Sequence, residues 1–564
     1  MKNINKYFYK GILFLTFIIT SSFRESHLID SKIAIPDINF EKALIKAGYD
    51  ENTKPDGFIL QSKIRNITEL DVSDSNISSL KGIEACVNLT HLFCQNNRIN
   101  ALNISQNRKL TVLKCQNNNL VSIIGLNSNT ILRELDCSNN KIIQLDIRNK
   151  PHLYNLFCSH NQLTKLEINK SLNELDCSRN LLRELDLTGN TDLQELQCSW
   201  NQLIFLKGLE TCVKLEILEC YNNKLKMLSL SSEENLMELR CQDNQITHID
   251  GLELCESLGT IELQNNKISE LNVENFPYLQ MLDISKNPIR KLNLYEQSTI
   301  TTLTATLTLL EELDLSNLVN LNWLEVNQTP LKKVTLPGSK NKPNKLKKIS
   351  LNINQLDSLD LEACVSLLEL RCHENVINFI KLGDFNDLEY IDIANNKLKS
   401  IDFSKYSNLE YIDCSDNPLQ RSDLSEDSLS AFVLPESTYQ LKELDCNNCN
   451  IYKLDLSKYI NLEELHISGN PIKVIDVSGH PQLRFLSIEN TKIQKIDLSK
   501  NVKLRSLFIG NLDLTMPVNL CNNEELETID NYRIKTPQTL ILKNKKKIFE
   551  TSSINPATKI IDCK

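Results

Sequence analysis

Apolar and polar residues alternate along this chain in short runs that recur at a nearly constant spacing. In Leu89-Thr90-His91-Leu92-Phe93-Cys94, strand alternation puts Leu92 and Cys94 on one side and His91 and Phe93 on the other. The run returns as LFCQNN, LKCQNN, LDCSNN, LFCSHN, LDCSRN, LQCSWN, LECYNN and LRCQDN. Their cysteines, Cys94, Cys115, Cys137, Cys158, Cys177, Cys198, Cys220 and Cys241, lie 21, 22, 21, 19, 21, 22 and 21 residues apart. The register begins one step earlier at Val72. It continues through Leu263, Ile284, Ala305, Val326, Leu351, Cys372, Ile393, Cys414, Cys446, Ile467, Ile488 and Ile509, giving 21 coils.

Each coil therefore holds one short strand with an inward ladder residue. A second extended stretch follows, such as Leu185 to Thr188, too short for a regular helix of several turns. The predicted fold is a repeat solenoid, mainly β, with parallel strands stacked on one face and short extended or turn segments on the other. Three residues after the ladder position, 15 of the 21 coils carry Asn. A side-chain amide at that point can bond to backbone groups left unpaired where the chain leaves the strand. Thr308, Thr329, Thr491, Ser75, Cys449 and Leu512 replace it in the other coils.

The pattern L-x-x-L-x-L-x-x-N is that of leucine-rich repeats. With Cys so often at the third apolar place, the stretch from Ile67 to Leu514 resembles the cysteine-ladder repeats of internalin J and similar secreted bacterial proteins. Ile35 to Asp50, IPDINFEKALIKAGYD, is similar to part of the N-terminal cap that precedes such arrays. The resemblance implies a secreted or surface binding protein, with adhesion among the functions of its members. The sequence shows no LPxTG-type wall anchor and no obvious C-terminal secretion domain.

Local departures respect the register. Four 22-residue coils carry Gly82-Ile83, Gly125-Leu126, Gly208-Leu209 and Gly251-Leu252 on the return side, where glycine can relax the backbone. Insertions at Leu336 to Leu346 and Leu419 to Gln440 are expected on the rim. At the N-terminus, Lys2, Lys6 and Lys10 precede the apolar run Gly11 to Thr20, which reads as an export signal and is too short to span a membrane. The expected organisation is a signal peptide over 1–22, an N-terminal cap over 23–66, the solenoid over 67–514 and a C-terminal cap over 515–564.

Composition narrows function further. The 564 residues carry a net charge of −9, which gives no electrostatic reason to bind nucleic acid or an anionic membrane. Of 18 cysteines, 11 occupy the inward ladder place, where they are expected as reduced thiols acting as small hydrophobes. Cys86, Cys212, Cys255 and Cys364 lie eight residues before a ladder residue and belong to the repeat. Cys521 and Cys563 lie beyond the array, free to pair or to stay apart. Cys446-Asn-Asn-Cys449 has no second pair at zinc spacing, and Asp50 to Gly57 has Lys54 where a calcium loop needs a ligand. No catalytic or nucleotide-binding motif is present, and the caps are too small for a catalytic domain. The expectation is a non-enzyme without cofactor or metal.

What remains is the strand face. The outward positions lie one and three residues before the ladder, and from the second coil on these 40 places hold 16 acids against Lys114, Arg240, Lys348 and Arg371. Aromatic residues break this acidic field: His91, Phe93 and Phe157 in the early coils, Trp323 alone, Tyr390 and Tyr411 in successive coils, and Phe485 and Phe508 late. Exposed aromatics on a rigid sheet suit partner binding. The sharpest candidate is Tyr390 with Tyr411, stacked about 5 Å apart, surrounded by Glu369, Asp392, Asp413 and Glu443. The expected partner is an extracellular protein or glycan. The alternative is a structural envelope spacer without a single ligand, whose face would be uniformly polar.

Overall fold

A computed structural model describes residues 30–230, 235–274, 276–294, 299–419, 431–436, 440–532, 538–543 and 552–563. The export-signal segment, and part of the second insertion, lie outside the described residues. The chain is a leucine-rich repeat solenoid. Its main sheet contains 22 parallel strands paired in consecutive order, from Glu69–Asp71 to Thr528–Asp530. Pairing is in register throughout, for example Leu92 on Leu113 and Ile391 on Ile412. The inward residue of each strand, and the ladder residue after it in every coil but the last, are buried in one continuous apolar core. Cys94, Cys220 and Cys414 are all 0% exposed, as the register requires.

The asparagine ladder works as its chemistry predicts. Asn118 donates to the carbonyls of Cys115 and Gln116 in its own coil and of Cys94 in the preceding one, while its Oδ1 accepts from Ile99 N–H. Each such amide ties two adjacent coils. Thr308 and Thr491 each donate one bond back to their own coil, Thr491 also accepting from Ile493 N–H, and the Cys449 thiol reaches the Cys414 and Asn447 carbonyls. The residue just before the ladder asparagine adopts positive φ in every one of the 21 coils, from Asp74 at 52° to Asn511 at 55°. Asparagine tolerates this conformation, which explains the frequent Asn-Asn pairs. Leu307 at 59° and Ile353 at 56° hold it at a steric cost.

The return side is built differently. Its short strands pair two by two, such as Leu145–Asp146 with Leu166–Glu167 and Ser358–Asp360 with Phe379–Lys381. The four longer coils turn through Gly82, Gly125, Gly208 and Gly251, each at positive φ and each opening a single 3-10 turn. At Gly208 and Gly251 a Cβ would lie 2.4 Å from Thr188 N and 2.2 Å from Leu230 O, so close coil stacking also demands glycine. The place eight residues before the ladder forms a second buried column. It contains Cys86, Asn107, Asn129, Lys150, Asn169, Asn190 and Cys212 in succession. Its asparagines donate to carbonyls of the coil before, as Asn107 does to Ile83 and Cys86.

At the N-terminal end, helix Ile38–Lys46 turns Phe40 and Leu44 into the core. Asp37 caps this helix through Asn39 and Phe40 N–H, and its other oxygen accepts from Ser78 and Ser79 N–H, joining the helix to the first coil. Buried Glu41 accepts from Asp56 and Gly57 N–H, so Asp50 to Gly57 is organised as a turn around that carboxylate. At the other end, Val518–Asn519, Thr539–Leu542 and Lys559–Asp562 form a three-stranded sheet, and Cys521 is disulfide-bonded to Cys563. The remaining 16 cysteines are buried and outside any disulfide. Burial pushes the Cys94 thiol up to about 12.

Candidate functional site

The outward residues of seven successive strands, Glu369–Arg371 to Ser506–Phe508, form one patch in which two aromatic stacks flank a group of acids. Parallel in-register pairing produces this directly, because equivalent side chains in adjacent coils stand at strand spacing. Tyr390 pairs with Tyr411, and their rings stack at 4.1 Å between centroids and 4° between planes. The Arg371 guanidinium covers the other face of Tyr390 at 4.3 Å. Arg371 also donates to Glu369 at 2.5 Å, and Lys348 lies 3.2 Å from the same carboxylate. The order along the sheet is thus Lys348, Glu369, Arg371, Tyr390 and Tyr411.

The acids that surround the tyrosines are not equivalent. Burial works against ionisation of Glu369, but the bonds from Arg371 and Lys348 outweigh it and hold its carboxyl below the ordinary value. Asp392 points outward yet is only 9% exposed, being enclosed between neighbouring strands. Burial raises its pKa, with the Asp413 charge adding to the effect. Asp413 accepts from Ser415 N–H and Oγ. Glu443 and Asp445 follow on the next strand, both pushed up to about 7 by burial first and by neighbouring carboxylates second.

Beyond them a second stack begins. His466 lies on Phe485 at 4.3 Å and 22°, and Phe485 lies on Phe508 at 5.0 Å and 27°. Phe508 is therefore part of a run on the strand face. His466 occupies the outward place one before its ladder residue, and sequence reasoning passed over it. The signal was that position itself, directly opposite Ser487 and diagonal to Phe485 in the next strand.

The other candidates are dispersed. His91 and Phe93 share a strand, with ring centroids 6.3 Å apart. Phe157 does not join them, because Lys114 and Asp136 occupy the two strands between in the same column. Trp323 is 45% exposed and stands between Thr302 and Lys348, without a ring contact among the described residues. On the return side, a groove of about 590 Å³ is lined by Arg148, Glu167, Asp186, Phe205 and Lys207, but Arg148 and Lys207 are already paired to Asp146 and Asp186. Among the described residues, no helix is long and apolar enough to cross a membrane.

No protein-family model matches the chain. No curated protein matches it either. Among solved structures it is similar to YopM from Yersinia enterocolitica, at 23% identity over 84% of this chain and 92% of that one, with a TM-score of 0.61. It is also similar to the plant peptide hormone receptor RGFR1 in complex with RGF2, at 18% identity over 90% and 96%, with a TM-score of 0.58. A further likeness is to the functional domain of InlJ from Listeria monocytogenes, which includes a cysteine ladder, at 22% identity over 91% and 83%, with a TM-score of 0.47. At these identities the likenesses to YopM and RGFR1 bear on the fold alone.

Proposed function

We propose that this chain is an exported binding protein that captures a cationic segment of an extracellular protein on its strand face, between coils Glu369–Arg371 and Ser506–Phe508. The observation that carries the reading is the Tyr390–Tyr411 stack, capped by Arg371 and adjoining a field of carboxylates. Rings held by a stack lose little freedom when a partner settles on them, so their apolar area is available at low entropic cost. Beside the stack, Asp413 has no bonded Lys or Arg among the described residues and accepts from Ser415 instead. That combination favours a basic, partly apolar partner and speeds its encounter. RGFR1 shows that this fold can carry a peptide-binding role in another protein. A rigid spacer has no use for two aromatic stacks on one face, which favours the binding reading over the envelope alternative. Adhesion and a glycan partner belong to the same proposal as further forms of capture.

The test uses the mature protein as bait in extracts from neighbouring or host cells, followed by affinity measurement with any captured protein. Tyr390→Ala with Tyr411→Ala should weaken that affinity by ~2 kcal/mol or more if the pair is a hot spot. Unchanged affinity overturns this site and directs attention to His91 and Phe93. Export is checked separately by N-terminal sequencing of secreted material, where a start near Ser22 to Ser26 is expected and retention of Met1 in cytosolic protein refutes it.

A further inference from the structure

Glu443, Glu464 and His466 lie side by side where the acidic group meets the second aromatic stack. Each turns one donor atom into a common space, the three atoms lying within 4.8 Å of one another. We propose that these three side chains form a binding site for a divalent zinc-class metal ion on the strand face. This goes beyond partner capture by the tyrosines and does not depend on it.

Four observations support the assignment. The donor set is one imidazole nitrogen and two carboxylate oxygens, the mixture that suits zinc and its first-row neighbours better than calcium or magnesium. His466 Nε2 is buried and has no hydrogen-bond partner among the described residues, although it faces Glu464 Oε2 at 3.6 Å. A buried imidazole nitrogen without a partner is costly unless something else satisfies it. The His466 ring is also held in place from outside the site. Phe485 stacks on its face at 4.3 Å, and the Asp445 carboxylate stands 4.0 Å from Nδ1 on the far side. At that distance Asp445 supplies a negative charge behind the ring without a hydrogen bond to it.

The charge balance points the same way. Glu443 and Glu464 are directly paired residues of neighbouring parallel strands, where like charges repel. At two other points of this face a cation stands among acids, whereas directly paired Glu174 and Glu195 have no bonded Lys or Arg among the described residues. Arg240 bridges Glu219, Glu238 and Glu262, and Arg371 with Lys348 serves Glu369. At Glu443 and Glu464 no Lys or Arg pairs with either carboxylate among the described residues. The nearest lysine in sequence, Lys442, donates instead to Glu410 at 2.6 Å. A dication supplies the missing positive charge. Three donors around zinc at ~2.0–2.2 Å stand roughly 3.3–3.6 Å apart, so closing the site takes side-chain movements on the order of 1 Å. Glutamate rotamers provide that. Remaining coordination positions face outward to water.

The test is titration of the full, metal-stripped chain with zinc ion alone by calorimetry, and with cobalt(II) ion read by its visible absorption. One zinc per chain is expected, with cobalt absorption of an N- and O-ligated site. His466→Ala, Glu443→Gln and Glu464→Gln should each weaken zinc binding tenfold or more and abolish the cobalt signal. Glu443→Gln and Glu464→Gln preserve size and remove repulsion, so their thermal midpoints should equal or exceed the parent's and separate lost ligation from lost folding. Absence of saturable zinc binding overturns the proposal. So does zinc binding that survives all three substitutions, or calcium binding as tight as zinc and indifferent to His466→Ala.

Discussion

Lys150 is the least expected occupant of the second buried column, and replacing it should stabilise the protein. It lies between Asn129 and Asn169 in that column and is 1% exposed. Its ammonium donates to the Leu126 and Asn129 carbonyls at 2.7 and 3.0 Å, with only Asp146 as a nearby countercharge. Burial pulls its pKa down from 10.5 to about 8. At about 1.4 kcal/mol per pK unit, keeping that proton at pH 7 costs up to about 3 kcal/mol. Asparagine can make the same two bonds, since Asn501 donates to the equivalent Val477 and His480 carbonyls. Lys150→Asn should therefore raise stability at pH 7 by ~1–2 kcal/mol. The sign with pH follows from the depressed pKa. Between about 8 and 10.5 the unfolded chain holds a proton that the folded chain has released, so the parent gains stability as pH rises and the advantage of the variant disappears. Urea unfolding of both proteins at pH 7 and pH 10.5 measures this, with hydrogen exchange of strand Asn155–Phe157 as the local readout. A variant less stable at pH 7, or an advantage independent of pH, refutes the reasoning.

Three further outcomes are expected. Ile353 carries a β-branched side chain at φ 56° while 37% exposed, so Ile353→Asn should stabilise by ~1 kcal/mol in the same urea assay. Asn417 is 0% exposed, donates to Ile393, Cys414 and Ser415 carbonyls and accepts from Leu398 N–H. Asn417→Ala should cost ~2–3 kcal/mol, and Asn417→Thr should recover part of it by the bond back to its own coil that Thr308 and Thr491 donate. Reducing Cys521–Cys563, which closes 42 residues of sequence separation, should destabilise the C-terminal end by up to about 4 kcal/mol, seen as protease cleavage there before the array opens.

Much of this protein is written in its one-dimensional pattern because a solenoid repeats one local solution. The ladder residues, the asparagine turn, the glycine-bearing long coils and the inward cysteines follow from alternation and spacing alone, and the stacking of Tyr390 on Tyr411 follows from their equal place in successive coils. The positive φ before each ladder asparagine was legible in the Asn-Asn pairs, but Leu307, Gln328 and Ile353 hide it, since coil packing overrides local preference there. The last strand, Thr528–Asp530, escaped because its ladder place holds Asn531, a polar residue buried by bonds to Thr558 and Asn555 that an apolar pattern cannot signal. Only the tertiary structure decided which charges are free. Glu369 is tied to Arg371 and Lys348, Asp392 is enclosed, and His466 faces Glu464 while resting on Phe485. Those facts depend on side-chain contacts across strands about 20 residues apart in sequence, which register brings within reach but rotamers and burial select.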